Sequence, residues 1–502
     1  MKSKGGYVRT KPTLLAAMAA LALIPFMVNF VARAAENLVP AALSGQVNSK
    51  EEGTMEGVVV GAKKAGSPVT ISVVSDAQGR YSFPRNKLEP GQYTLRIRAT
   101  GFDMDDPGAV EITAQQTARV DLNLHPTKNL AAQLSNSEWI MSVPGTEQQK
   151  TSLLYCVQCH TLQRITRSNH DADEFLQVIQ RMASYANQSF PLHAQKRVAD
   201  RLLEERGERL QASQRAQAAF LSSINLSSGQ QWDYALKTNA RPKGRATRVV
   251  ITEYDLPRQT IEPHDVVLDG QGTVWFSNFG EQFLGKLDPK TGKYSEVPVP
   301  RPKPNQPTGS LGLRPDKDGN LWLGMMFQAA IGKFDPKSET FQVFNLPPEL
   351  NKDYTQVNMA SPQRSTVDGK VWMQNNGIAA IHRVDLSSGK FDDFEPFKDA
   401  KPGENHNIYD VVPDSQNNVY FTDFANQHIG RIDAKTGKVT MYPTPTPRSA
   451  PRRAQMDAQD RLWFGEYAGN RIGMFDTRTE KFQEWPAPTP FSGPYEIGRA
   501  HV

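Results

Sequence analysis

From Thr247 onward the chain repeats itself, and no other feature limits its possible folds as much. Aligning Trp275, Trp322, Trp372, Tyr420 and Trp463 gives spacings of 47, 50, 48 and 43 residues. A second marker is the turn Asp288-Pro-Lys-Thr-Gly292. It recurs as turns that begin at Asp335, Asp385, Asp433 and Asp476, with the same four spacings. Each unit holds about four short β-rich runs separated by turns; in the first they are His264–Leu268, Thr273–Ser277, Phe283–Leu287 and Lys293–Val299. Such a unit cannot bury its apolar face alone and must stack on its neighbours, so residues 246–502 are predicted to form a β-propeller of four-stranded blades. Asp316-Lys-Asp318-Gly-Asn320 has the look of a calcium loop, but it falls on the turn that recurs between the first and second runs and reads as a hairpin.

Ring closure yields two further expectations. Arg248–Leu256 precedes the first unit yet resembles the outermost run of the others, so it is expected to supply the strand that closes the ring and hides its edges. Ser492–Ile497 begins another blade just before the sequence stops, so the propeller is expected to be truncated by at least two strands.

Upstream the character changes twice. Residues 42–125 show short β-rich runs, Val69–Val74 and Tyr93–Ala99 among them, separated by turns such as Asp76-Ala-Gln-Gly79. With no helical period, a two-sheet β-sandwich is the natural way to bury them. Residues 146–227 carry apolar positions at helical spacing in Gln148–Tyr155, Ala172–Tyr185 and Gln195–Ile224, with Phe175, Val178, Ile179 and Met182 on one stripe. The whole reads as a multidomain, mainly β chain: an N-terminal sandwich, a small all-α domain and a C-terminal propeller.

Residues 1–34 read as a signal peptide: a basic stretch, an apolar run from Leu14 to Val31, and Ala32-Arg33-Ala34 as the cleavage site. An uncleaved N-terminal anchor is the alternative, and either places the remainder outside the cytoplasm, in the periplasm. The formal charge is +5, and Lys2, Lys4, Arg9, Lys11 and Arg33 account for five positive charges with no acid among the first 34 residues, so 5 − 5 = 0 remains. A near-neutral mature chain argues against nucleic acid or anionic lipid as its main partner.

The only two cysteines lie in Cys156-Val-Gln-Cys159-His160. Two thiols three apart at a helix end can reach the two vinyl groups of one porphyrin edge, and the next imidazole then lies under the iron. One covalent haem c is therefore expected, with His160 as proximal ligand. Zinc would want two more Cys or His ligands nearby, and there is no further cysteine. Met182 is a candidate distal ligand; His170, His193 and a five-coordinate iron remain open.

Three stretches resemble known families. Leu43–Val47, Gly57-Val58, Asp76–Phe83, Pro90–Tyr93 and Gly101-Phe102 resemble the carboxypeptidase regulatory-like (transthyretin-like) sandwich, which implies an accessory domain without catalysis. The haem motif together with Ala218–Asn225 resembles the class I-like cytochrome c superfamily, although its Met-bearing loop is not recognisable. Pro263-His264-Asp265, Asp269-Gly270, Val274–Asn278, Tyr420–Asp423, Trp463–Glu466 and Ile472-Gly473 resemble the streptogramin B (virginiamycin B) lyase propeller. That resemblance implies a base and a divalent metal at the axis, with His264 and Glu466 on matching positions; Thr308-Gly309-Ser310, Pro451-Arg452-Arg453 and Pro494-Tyr495-Glu496 lack its histidine.

His264, Asp265, Glu404, His406, Asn407, Asp410, Arg452, Arg453, Glu466 and Glu496 are expected to converge on the channel mouth, where propellers bind ligands. The leading functional expectation is electron transfer through the haem to a periplasmic cytochrome, dehydrogenase or oxidase, with the propeller binding a partner or small molecule. A metal-dependent lyase or hydrolase with an ancillary cytochrome, and a haem-based redox or gas sensor, are the alternatives.

Overall fold

A computed structural model describes residues 40–196, 208–401 and 404–496. The signal-peptide segment and much of the Gln195–Ile224 helix lie outside the described residues. The chain divides into two compact units, one made of the residues up to Pro126 with Arg241–Glu253, the other of Thr127–Ala240 with everything from Tyr254 onward.

The first unit is the expected sandwich. In one sheet Ala41–Ser49 pairs with Arg80–Pro84 and Leu122–Pro126; the other has the order Val250–Tyr254, Val69–Val74, Val59–Lys64, Gly91–Arg98, Val110–Ile112. Alternating strands such as Arg80–Pro84 send Tyr81 and Phe83 inward and Arg80 and Ser82 outward, and the inner faces form one apolar core around Leu43, Val60 and Phe83. One expectation is corrected here. Val250–Tyr254 is the edge strand beside Val69–Val74 in the sandwich and does not close the propeller ring. It is β-rich with no strong one-sided pattern, so its sequence fits any open edge.

In the second unit five four-stranded blades follow one another. Their inner strands are Pro263–Leu268, Leu313–Pro315, Ala360–Ser361, Ile408–Pro413 and Pro451–Met456, and each blade is an antiparallel meander. The repeated residues explain themselves. Trp275, Trp322, Trp372 and Tyr420 are buried between neighbouring blades. Asp269, Asp316 and Asp457 accept the indole N–H of Trp275, Trp322 and Trp463 at 2.8, 3.0 and 2.9 Å while also capping their own turns. Asp316 thus holds a hairpin, accepting the backbone N–H groups of Asp318 and Asn320. Pro494–Glu496 runs beside blade 5: the Arg453 N–H donates to the Tyr495 carbonyl, and a Cβ on Gly465 would meet the Pro494 oxygen at 2.5 Å.

The helical segment comprises α1 (Leu130–Gln133), α2 (Asn136–Ser142), α3 (Glu147–Cys156), α4 (Gln163–Thr166), α5 (Ala172–Met182) and α6 (Glu208–Ser223). Ser135, Thr146 and Asp171 cap α2, α3 and α5, each in a reciprocal box with Glu138, Gln149 or Glu174. The segment is not a free-standing all-α domain. Its Trp139, Leu153, Phe175 and Phe220 share one continuous core with Tyr409, Phe421, Phe424 and Tyr467 of the propeller.

Candidate functional site

The axis of the propeller is polar. Register puts Asp265, Gly312, Met359, Asp410 and Arg453 at equivalent places on the five inner strands, one step after His264, Leu311, Asn358, Tyr409 and Arg452. The sequence had aligned Thr308-Gly309-Ser310 with Pro263-His264-Asp265. The structure moves blade 2 on by two residues, because Leu311 accepts the Ser277 hydroxyl and the Leu313 N–H donates to Asp265.

Four charged side chains join the inner strands. Arg453 donates to both oxygens of Asp265 at 2.9 and 2.6 Å, Arg314 to both of Asp410 at 2.7 and 2.8 Å, and Arg453 Nε lies 3.5 Å from Asp410. All four are buried. The facing guanidinium holds the Asp265 carboxyl well below the usual carboxylate range against the opposing effect of burial. Planar bidentate pairs suit this place because charges removed from water cost several kcal/mol each unless nearly every polar atom is met.

His264 sits at the head of this network. Its Nδ1 is 2.8 Å from Asp265 Oδ1 and its Nε2 is 2.8 Å from the Tyr495 hydroxyl. Beside it a cavity of about 670 Å³ follows the inner strands, lined by apolar Val266, Val267, Leu313, Val412 and Met456 and at least as much by polar groups, Arg314, Gln363, Arg364, Arg453, Gln455 and Glu496 among them. Arg452 does not enter that cavity. Its guanidinium lies 3.8–4.7 Å from the ring centres of Tyr409, Phe424, Tyr467 and Tyr495 and donates to the Tyr409 hydroxyl at 3.2 Å.

The remaining candidates stand elsewhere. His406 stacks on Phe397 and bonds Asp423 at 2.7 Å, with Glu404 at 3.8 Å, and the Asn407 N–H donates to Asp423. In blades 1, 3 and 4 the residue ending the second strand (Asn278, Asn375, Asp423) accepts a backbone N–H from the loop that leads to the inner strand. Glu466 ends the second strand of blade 5, where it is fully buried and makes no such bond to the loop. Burial and the nearby Glu484 carboxylate push it up to about 8. Its side chain lies against Gly469.

Divalent metal chemistry was an expectation for this axis, but the donors present do not fit it. Both nitrogens of His264 are engaged, Asp265 and Asp410 are taken by arginines, and among the described residues no group of three His, Cys, Asp or Glu could hold a metal.

The haem motif lies where α3 ends. Cys156 and Cys159 are free thiols, and burial pushes Cys156 up to about 11. His160 Nδ1 is tied to the Thr161 carbonyl at 3.0 Å, which leaves Nε2 as the nitrogen that could ligate a metal. Two sulfurs and an imidazole in this order suit a covalently held haem. Of the possible distal ligands, Met182 ends α5 and is 36% exposed, His170 pairs with Glu174 at 3.4 Å, and His193 Nδ1 is buried without a hydrogen-bond partner. Beside the motif, Tyr155 packs on Phe424 and Tyr467, and Tyr467 donates to the Leu154 carbonyl at 2.6 Å. Nothing in the sequence pointed to this aromatic cluster, because its members come from the end of α3, from blades 4 and 5 and from Tyr495, and their rings look like core.

The profile of the Virginiamycin B lyase family matches residues 245–501, and that of the Carboxypeptidase regulatory-like domain matches residues 42–125. The virginiamycin B lyase of Staphylococcus aureus is 23% identical over 50% of this chain and 78% of its own, with a TM-score of 0.42. A catalytically inactive variant of that enzyme crystallised with quinupristin gives 22% identity, the same coverage and the same TM-score. A streptogramin B lyase gives 22% identity over 50% of this chain and 76% of its own, at 0.41. No curated protein sequence matches the chain.

Proposed function

The chain belongs to the virginiamycin B lyase family through residues 245–501, and from that premise we propose that its propeller performs lyase-type acid–base chemistry on a small molecule in the axial cavity. One observation carries the reading: His264 heads the cavity with Nδ1 held by Asp265 and Nε2 on the Tyr495 hydroxyl. Elimination across a C–O bond needs a base for the proton and a donor for the leaving oxygen. His264 is the base once the substrate proton takes the place of the Tyr495 hydroxyl at Nε2, and the Asp265 carboxylate stabilises the imidazolium that forms. The displaced Tyr495 hydroxyl is the donor for the leaving oxygen. His264→Ala is expected to slow opening of cyclic ester substrates on the order of a hundredfold, while Cys156→Ala spares it. Full retention of turnover in His264→Ala would end this reading.

A second reading is favoured by the two free thiols and the imidazole that follow α3: an exported electron carrier with one haem c on Cys156, Cys159 and His160, serving a periplasmic redox partner. When bound, the haem supplies one-electron chemistry. The chain's own part is to hold the porphyrin by two thioethers and to fix the His160 ring through Thr161. Protein matured with haem-attachment machinery should stay coloured after denaturation and acid–acetone extraction, and Cys156→Ala with Cys159→Ala should not. A colourless wild-type protein would refute it.

A further inference from the structure

We infer that Gln363 and Arg364 of blade 3 form a carboxylate-binding pair, and that the axial cavity takes an acid with an oxygen substituent on its β-carbon; this rests on the lyase reading and gives it a substrate class. Four blades follow one rule where the inner strand turns into the second. One step past Leu268, Pro315, Pro413 and Met456 stands an Asp that is spent on its own turn. Asp269, Asp316, Asp414 and Asp457 each accept two backbone N–H groups there. Trp275, Trp322, Tyr420 and Trp463 follow these aspartates by six residues. Blade 3 breaks the rule. Its register, with Ser361 opposite Trp372, puts Gln363 at the Asp position, and Trp372 follows by nine residues. The longer connection forms one helical turn, α7 (Ser365–Asp368).

Both residues released by that change line the cavity together with His264. Gln363 Oε1 is buried with no hydrogen-bond partner, which is unfavourable until a ligand donor meets it. Arg364 makes no ion pair or hydrogen bond among the described residues. The other cavity arginines are committed: Arg314 to Asp410 and Arg453 to Asp265, with Glu496 3.6 Å from Arg453. Solubility would account for one free arginine at a rim. It would not account for an arginine beside an orphaned buried amide at the turn that departs from the repeat, and such local departures mark functional positions.

A carboxylate offers the guanidinium two oxygens, and an N–H or O–H on the neighbouring carbon offers Gln363 its donor. The pair also meets a need of the elimination. When a base removes the proton α to a carboxylate, further negative charge develops on the carboxylate oxygens and must be opposed. Both His264 nitrogens and the Asp265 and Asp410 carboxylates are engaged, so the opposing charge falls to a fixed side chain, and Arg364 is uncommitted. His264 Nε2 takes the α-proton, the C–H electron pair becomes the α,β double bond, and the β C–O bond breaks with its pair on oxygen. Tyr495 protonates that oxygen, and the imidazolium returns its proton to Tyr495. An α,β-unsaturated acid leaves with an alcohol or a second acid, and the protein ends as it began.

The full chain is tested with N-benzoyl-O-acetylserine and with its primary amide, which has the same leaving group but no charge. Elimination is followed by the absorption of the conjugated product, and binding of the unreactive N-benzoylserine and its amide by calorimetry. The wild type should favour acid over amide by about tenfold to a hundredfold in binding and in kcat/KM. Arg364→Gln should bring both ratios close to unity, with Arg364→Lys in between. Elimination that handles acid and amide alike, or keeps its acid preference in Arg364→Gln, would overturn the carboxylate site alone. Acid binding that depends on Arg364, without elimination of either probe, would overturn the lyase reading alone. Any other result without elimination would overturn both.

Discussion

The space between blades and the space at their common axis are built from opposite materials. Between blades, Trp275, Phe334, Trp322, Ile331, Phe464 and Phe475 form apolar seams, and each pair of blades solves the problem in nearly the same way. At the axis, Asp265, Arg314, Asp410 and Arg453 replace hydrocarbon with charge, and no two blades contribute the same residue type in the same register except blades 1 and 4. A seam tolerates any well-shaped apolar group. A charged axis demands matched partners and fixed geometry, so it separates the blades' roles.

The comparison can be broken at either place. Trp322→Ala should cost about 3–5 kcal/mol by opening a void in a seam, equally at every pH, as seen in denaturant midpoints. Arg453→Ala should cost a similar ~3–5 kcal/mol near neutrality, because it leaves Asp265 and Asp410 buried with less compensation. Part of that loss should return as acid protonates Asp265, since the arginine that held it low is gone. A loss in Arg453→Ala that is the same at pH 4 and pH 7 would erase the distinction drawn here.

Smaller effects sharpen it. Glu466 rises from an ordinary 4.5 to about 8 in the fold, so the folded chain keeps a proton that the unfolded chain releases between those values. Stability is therefore lost as pH rises through that window. Glu466→Gln should be more stable than wild type, by a margin that grows from pH 4.5 to 8 and then levels, read from thermal midpoints. Asp316→Ala, which removes only a turn cap and the Trp322 indole partner, should cost about 1–2 kcal/mol.

What the sequence made legible follows the same division. The blades could be read because Trp322 and its equivalents, and the Asp288 turn and its equivalents, recur for a local reason: each indole meets a turn carboxylate or a neighbouring carbonyl, and each turn needs an Asp cap. The sandwich was legible from alternation, as in Arg80–Pro84. The axis was not. Blade 2 has neither Pro nor a charged residue at the inner position, so only its long-range bonds to Ser277 and Asp265 fix its register. Glu466 has a lyase-like sequence context, but its side chain turns into blade 5, a matter of strand facing that a four-residue signature does not carry. Val250–Tyr254 was misplaced because an edge strand declares its own shape but not its neighbour.

The packing of the Tyr155–Val157 turn against Phe424 and Tyr467 has a consequence for traffic. On one side the propeller's hairpin loops are shared with helices; Gln195 and Gln188 bond the Thr308 carbonyl, and Gln356 bonds Asn187. The axial cavity follows the trailing ends of the inner strands, at Pro315, Pro413 and Met456. A ring covered over its loops by helices and hollow along its inner strands leaves a small molecule one approach to His264, along those strands.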